Sequence, residues 1–415
     1  MRQHPVHEQD NHGKGKDNMK KKQKSIMTIF LLPLLFVVVL QGVVPFSMLL
    51  SSGVKSVMES RTIGMDSHMV ENRKVVLEND MVEKWSAIRN EEEKLQYELS
   101  GFLEENQVSI DEFQKDTKLQ QAYVERMFPE LIQELNRDVS CGVFLIMANS
   151  NPVEEPGDYV GCFIRDSDPD AVSPTNSDLL MERGNKNLAS SRGIALDNSW
   201  SPKFDFKGRG NRDADLFFYE PYCVANENKT VDMESLGYWS MPFVLEDHAM
   251  DSHQMITYSV PLIYDGVVYG VVGSEISVQY ISNYFPAYDL DADMNAGYIL
   301  ALDNGDGTYQ KIIGNGTLFE AVCRDSDEYK LKKNKKNDLY RVEGATVGSQ
   351  DIYAIPVSMN LYTNNVPYEN TDWVLCGLVT ENSIYGLGNQ LYQRNLLVIF
   401  AGSSSGFCYN DDCHS

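Results

Sequence analysis

Between positions 238 and 275 the residue types suit recognition of a small molecule: Tyr238, Trp239, Phe243, Tyr258 and Glu275. A metabolite pocket needs apolar walls and a few convergent polar groups, and aromatic rings with a polar tip supply both. Glu275 adds a carboxylate among glycines and valines, suited either to pairing with a cationic ligand or to plain surface exposure. Taken singly, each aromatic also suits an ordinary core position. Catalytic chemistry is not indicated. The chain has no G-x-S-x-G elbow, no H-E-x-x-H, no phosphate-binding glycine loop and no Cys/His arrangement.

No cofactor or metal is expected either. The loop DNGDGTY around Asp303 and Asp306 has calcium-ligand residue types, but it lacks the later bidentate Glu and sits between two strand-like runs, so it reads as a hairpin loop. Seven widely spaced cysteines, with no C-x-x-C pair, exclude a dense disulfide scaffold and disfavour a zinc site. One bridge, Cys141 to Cys162, stays open for an exported domain. Asn228-Lys229-Thr230 and Asn315-Gly316-Thr317 fit the glycosylation pattern, which arises by chance often. The basic run Lys330 to Asp338 reads as a solvated loop.

These residues need a scaffold, and the 415-residue chain is long enough for two or three cores. Its formal charge of −24 is uneven: residues 1–25 hold seven Lys or Arg against three acids, leaving 29 basic against 57 acidic residues elsewhere. Such a bulk repels nucleic acid. Residues 26–50 carry no charge, and at the helical rise they span roughly 37 Å, enough for the hydrocarbon layer. Lys20, Lys21, Lys22 and Lys24 then stay cytoplasmic and the rest of the chain lies outside the cell membrane. The run is longer than a signal-peptide core and is followed by SSGVKS, which favours a retained anchor.

Beyond the anchor, Val75, Val82, Trp85, Ile88, Leu95, Leu99 and Phe102 recur at helical spacing. They predict one long helix with a break near Gly101. Ser109-Ile110-Asp111-Glu112 is a capping-box pattern that starts a second helix running to about Asp138. Strands follow in CGVFLIMA, YVGCFI, LFFYEPYCVA, GYWSMPF, MITYSVPLIY and VVYGVVGSEIS, with Asp265-Gly266 as a hairpin turn. A short helix from about Val278 to Phe285 separates these from a smaller strand set beginning at AGYILALDNGDGTYQKII. The expected fold class is α+β: a long transmembrane and juxtamembrane helix, then two tandem PAS-like antiparallel-sheet domains. The segments are a basic tail (1–25), a transmembrane helix (26–50), a signalling helix and second helix (51–138), a membrane-distal domain (139–289), a membrane-proximal domain (290–385) and a return helix (386–415). In the last, residues 396–401 begin like a second span and then turn polar, as if cut short.

The anchor, the long helix and ITYSVPLIYDGVVYGVVGSEISVQYI together resemble the double Cache family of extracytoplasmic sensors. The most specific match is the strand, turn, strand pattern from Ile256 to Ile276, with Pro261, Asp265-Gly266 and Gly270-Val271-Val272-Gly273 in order. In layout the resemblance covers about residues 50–390; its recognisable motifs fill about 236–286. LGYWSMPF is similar to clostridial-type receptors whose cytoplasmic halves are diguanylate cyclases or histidine kinases. The resemblance implies two PAS-like domains on a long helix, with a small ligand in the distal one. It places the ammonium-holding positions of amino-acid-binding members at Phe243, Leu245 and Glu275. Only Glu275 keeps a carboxylate, which counts against an ordinary amino acid. It also brings Trp200 and Tyr222 toward the pocket, on the connection that covers the binding face in this family.

The expectation is therefore a sensing module of a transmembrane receptor, homodimeric, without catalysis in this chain and with its output domain missing. A tethered binding or adhesion module is the alternative, and a surface hydrolase is less favoured.

Overall fold

The computed structural model describes residues 26–138, 140–169, 175–228, 230–231, 235–245, 253–363, 366–369 and 371–408. The basic tail, Lys229 and the last residues of the chain lie outside these. Two compact units are present: Met1–Met58 with Gly388–Ser415, and Glu59–Leu387. Among the described residues no helix is long and apolar enough to cross a membrane. The side chains at 38–40, 43–47 and 49–51, within and just after the charge-free run, are not among those described, although the backbone there is helical.

Helix α1 runs Ile26–Asn79. The predicted break near Gly101 is corrected: the backbone leaves α geometry earlier, as a π-helical turn at Asp80–Trp85 and a 3₁₀ turn at Ala87–Glu91, and Gly101 lies inside α2 (Glu92–Asn106). The cause is tertiary. Trp85 is only 1% exposed, with its ring edge-on to Tyr284 and Tyr280 at 5.4 and 6.3 Å. Ser274 donates to the Trp85 carbonyl, and the Ser86 hydroxyl donates back to the Val82 carbonyl at 2.6 Å. Seating the indole shifts the helical register, which is where π and 3₁₀ turns arise.

The predicted capping box is present. Glu112 N–H donates to Ser109 Oγ at 3.3 Å and Ser109 N–H donates to Glu112 Oε2 at 2.8 Å, opening α3 (Ile110–Lys115). That helix does not run on to Asp138 unbroken. Asp116 is extended, and its carboxylate accepts from the Lys118 amide at 2.8 Å just inside α4 (Thr117–Asp138). Ser109→Ala is expected to lower stability by about 1 kcal/mol in urea unfolding.

The first sheet is built from β1 (Gly142–Met147), β3 (Gly161–Asp166), β4 (Leu179–Arg183), β5 (Ala195–Ser201), β7 (Tyr238–Trp239), β8 (Met255–Tyr264) and β9 (Val267–Ser277), in the order β5-β4-β3-β1-β9-β8-β7. Only β4–β5 is parallel. A small pair, β2 (Gly157–Tyr159) with β6 (Phe204–Phe206), lies apart from it, and α5 (Lys186–Ser191) precedes β5. The Asp265-Gly266 turn joins β8 and β9 with positive φ at both residues, 51° and 76°, the type I′ signature.

LFFYEPYCVA, expected as a strand, forms helix α6 (Leu216–Glu227). Phe217, Phe218, Tyr219, Tyr222 and Ala225 are all buried against one sheet face. A segment that is apolar all round satisfies either geometry, and packing selects the helix. GYWSMPF gives only the two-residue β7. Cys141 and Cys162 are free and buried. Leu145, not a residue beside Cys141, faces Cys162 in the β1–β3 register, so the thiols are about 13 Å apart along the strand, beyond disulfide reach.

Helix α7 (Val278–Ser282) ends before the buried Phe285, short of the expected limit. The second strand set is β10 (Ala296–Asp303), β11 (Thr308–Asn315), β12 (Glu328–Lys333), β13 (Tyr340–Val347), β14 (Gln350–Ser358) and β15 (Trp373–Thr380), with α8 (Thr317–Val322) after β11. Because β15 pairs with both β10 and β14, these strands close into a barrel. DNGDGTY is a hairpin loop, as expected: Asp303 Oδ1 accepts from the Gly305 amide and Asp306 Oδ1 from the Thr308 amide, at 2.8 and 2.9 Å. Those carboxylates serve the turn. Helix α9 (Glu381–Cys408) follows.

Candidate ligand-binding site

The two faces of the first sheet differ in chemistry. Along β9, Val272, Ser274 and Ile276 point toward the helices, while Val271, Gly273 and Glu275 point to the face covered by α6, since side chains alternate with period two. In the register, Gly142 lies between Glu275 and Arg165, and Thr257 pairs with Glu275 on its other side. On β4, Leu180 pairs with Arg165, and Glu182, two residues on, falls on the same face beside a bulge between Phe163 and Ile164.

The result is a buried ionic cluster. Glu275 is 0% and Glu182 1% exposed. His253 stands between them, Nδ1 at 3.4 Å from Glu182 Oε1 and Nε2 at 3.5 Å from Glu275 Oε1. Arg165 Nε lies 3.1 Å from Glu182 Oε1, and its Nη2 donates to Asp197 Oδ2 at 2.5 Å. Asp197 also accepts from the Ser199 amide and hydroxyl at 2.8 and 2.9 Å. Thr257 donates through its amide and hydroxyl to Ser240 Oγ at 2.9 and 3.1 Å. Neither Glu275 oxygen, nor Glu182 Oε1, has a hydrogen-bond partner among the described residues.

Space for these groups comes from glycine. A side-chain carbon on Gly142 would stand 2.5 Å from Glu275 Oε2. The apolar wall comes from Phe144, Phe217 and Phe243, with Phe217 edge-on to Phe144 and stacked on Phe243, both at 5.0 Å.

Burial pushes the Glu182 carboxyl up to about 7; the charge of Glu275 adds to this, and His253 and Arg165 oppose it. Burial alone would lower the His253 pKa, but the two glutamates outweigh it and raise it. Burial would likewise raise Asp197, but bonds from Ser199 and Arg165 hold it below the usual carboxylate range.

The seven residues expected to form one set are divided by the structure. Glu275 and Phe243 share the ionic face. Tyr238 and Tyr222 belong to the same aromatic cluster, against Tyr368 at 5.2 Å and Phe218 at 5.8 Å. Trp239 and Tyr258 pack together at 5.0 Å on the opposite, helix-covered face. Trp200, in β5, donates its indole N–H to the Gly184 carbonyl at 3.1 Å. Leu245 is a buried wall residue. Sequence reasoning missed Glu182, His253, Arg165 and Asp197. A lone carboxylate inside the apolar run LLMER was the available signal for Glu182.

No family model matches the sequence, and no curated protein matches it. Similar solved structures include ligand-binding sensory domains of chemoreceptors. The sensory domain of Campylobacter jejuni chemoreceptor Tlp3 (CcmL) has a TM-score of 0.37 at 10% identity, over 80% of this chain and 98% of that one. The ligand-binding domain of Pseudomonas fluorescens chemoreceptor CtaA, in complex with L-leucine, has a TM-score of 0.36 at 12% identity, over 80% and 99%. Tlp3 with isoleucine bound gives 0.37 at 11%, over 80% and 97%.

Proposed function

We propose that the chain is the extracytoplasmic small-ligand sensing module of a transmembrane signalling receptor, and that its ligand carries a primary ammonium group. One observation carries the ligand reading: two carboxylates are buried on one sheet face, and three of their oxygens have no hydrogen bond among the described residues. An unsatisfied buried acceptor costs about 1–3 kcal/mol, more when charged. An ammonium group brings three N–H donors and the compensating charge. Glu182 supplies the second carboxylate that Phe243 and Leu245 lack.

In this reading residues 26–50 anchor the module, residues 139–289 form the membrane-distal ligand domain and residues 290–385 the proximal one. A homodimer passes the ligand-induced shift along its helices to a cytoplasmic output, a diguanylate cyclase or histidine kinase. The ligand biases that equilibrium only through its different affinity for the two states.

The test is a thermal-shift screen of the purified full chain against primary amines, the standard amino acids and diamines included, beside neutral and anionic metabolites. At least one amine is expected to raise the melting temperature, and Glu275→Gln, still folded by circular dichroism, should lose that rise. Stabilisation by neutral or anionic compounds alone would overturn the reading.

A further inference from the structure

A cavity of about 130 Å³ lies on the other face of the sheet from the ionic cluster. Its walls come from four separate stretches of chain. Ser86 and Arg89 come from the break between α1 and α2, Trp239 and Tyr258 from β7 and β8, and Asn360 and Tyr362 from the segment between β14 and β15. It is close in size to a cavity of about 150 Å³ that accepts benzene, so a ligand of roughly four to six heavy atoms fits.

The one charged residue lining this cavity among the described residues is a cation. Although acids outnumber bases 60 to 36 in the chain, no Asp or Glu lines it, whereas Arg89 does. Among the described residues Arg89 has no carboxylate partner. Glu78, whose partner Asn360 also lines the cavity, is held by Lys74 at 3.0 Å and by the Asn360 backbone amide at 2.8 Å. Tyr362 Oη accepts from the Trp239 amide at 3.0 Å, and its own proton has no acceptor among the described residues. One guanidinium and one phenolic donor thus line a space with two further aromatic rings, Trp239 and Tyr258, in its wall, beside the neutral side chains of Ser86, Asn360 and Thr363. This arrangement suits an anion with a short apolar tail.

We propose that this cavity is a second ligand site, which takes a small monocarboxylate with its carboxylate on Arg89 and Tyr362 and its carbon chain between the rings. The site goes beyond the ammonium reading of the opposite face and does not depend on it. Occupation would tie the helix break to the segment before β15, giving a second input on the same helix.

The probe is butyrate, titrated into the full chain in detergent by isothermal calorimetry at fixed ionic strength, with n-butanol and n-butylammonium as neutral and cationic counterparts. Butyrate is expected to bind at least about tenfold more tightly than either, since the charged hydrogen bonds are lost with them. Arg89→Gln should weaken butyrate about tenfold, and Arg89→Lys should recover part of that. Arg89 is half-exposed, so both variants are expected to fold. Glu275→Gln, which disables the other face, should leave butyrate binding unchanged. Absence of butyrate binding, equal binding of butanol or butylammonium, wild-type binding by Arg89→Gln, or loss of binding in Glu275→Gln would each overturn the proposal.

Discussion

Trp85→Ala is expected to destabilise the unit Glu59–Leu387 by about 3–5 kcal/mol, the usual cost of emptying a large buried aromatic site. The indole is nearly inaccessible and is clasped edge-on by Tyr280 and Tyr284, so its neighbours cannot collapse far to fill the space. The loss also removes the reason for the π turn at Asp80–Trp85, because a π turn persists only where tertiary contacts outweigh its poorer hydrogen bonding. Guanidinium unfolding followed by far-UV circular dichroism measures the loss. Tyr97→Ala is the control: Tyr97 lies in the following helix, is 77% exposed, and should change stability by no more than about 0.5 kcal/mol. A Trp85→Ala loss as small as that of Tyr97→Ala would show that the break is set locally and not by the sheet.

Stability is also expected to fall as pH rises from about 5 to about 8. Burial raises the carboxyls of Glu182 and Glu92 to about 7 and that of Asp66 to about 6, and His253 is raised by its two glutamates against the opposing effect of burial. In every case the folded chain keeps a proton that the unfolded chain releases more readily. Stability from these groups is therefore fully present below their unfolded pKa values and is lost as pH passes the folded ones. For Glu182 alone, moving from 4.5 to about 7 corresponds to something on the order of 2–3 kcal/mol across that window. Glu182→Gln should match the wild type near the acid end, gain on it toward pH 8 and show a visibly shallower slope. A slope unchanged by the substitution would mean that Glu182 does not titrate in this range. The same linkage predicts that an ammonium ligand binds more tightly as pH rises through about 7, because the Glu182 carboxyl that receives it becomes charged.

Legibility in the sequence followed the range of the interactions. Ser109 and Glu112 satisfy each other's backbone groups three residues apart, and Asp265-Gly266 adopts positive φ wherever it occurs in a tight hairpin; both were readable because cause and effect are neighbours in the chain. Glu275 stood out as a carboxylate in an apolar strand. Its partners did not, since Glu182, Arg165 and His253 come from separate segments and meet only through strand order and register. Period-two alternation is what separated Tyr258 from Glu275. Both lie on neighbouring strands of one hairpin, yet they face opposite sides because the register pairs Thr257, not Tyr258, with Glu275.

What the residues determined alone was composition-driven: a charge-free stretch beside a lysine cluster, an acidic bulk, strands punctuated by turns, and no catalytic motif. What only the tertiary structure decided was partnership. LFFYEPYCVA became a helix because a sheet face needed covering, α1 broke at Trp85 because an indole had a cavity to fill, and distant charges converged because the sheet brought their segments together. Local propensities span roughly 1 kcal/mol per residue, whereas burying one large side chain is worth about 1.5–3 kcal/mol, so packing overrides propensity wherever the two conflict.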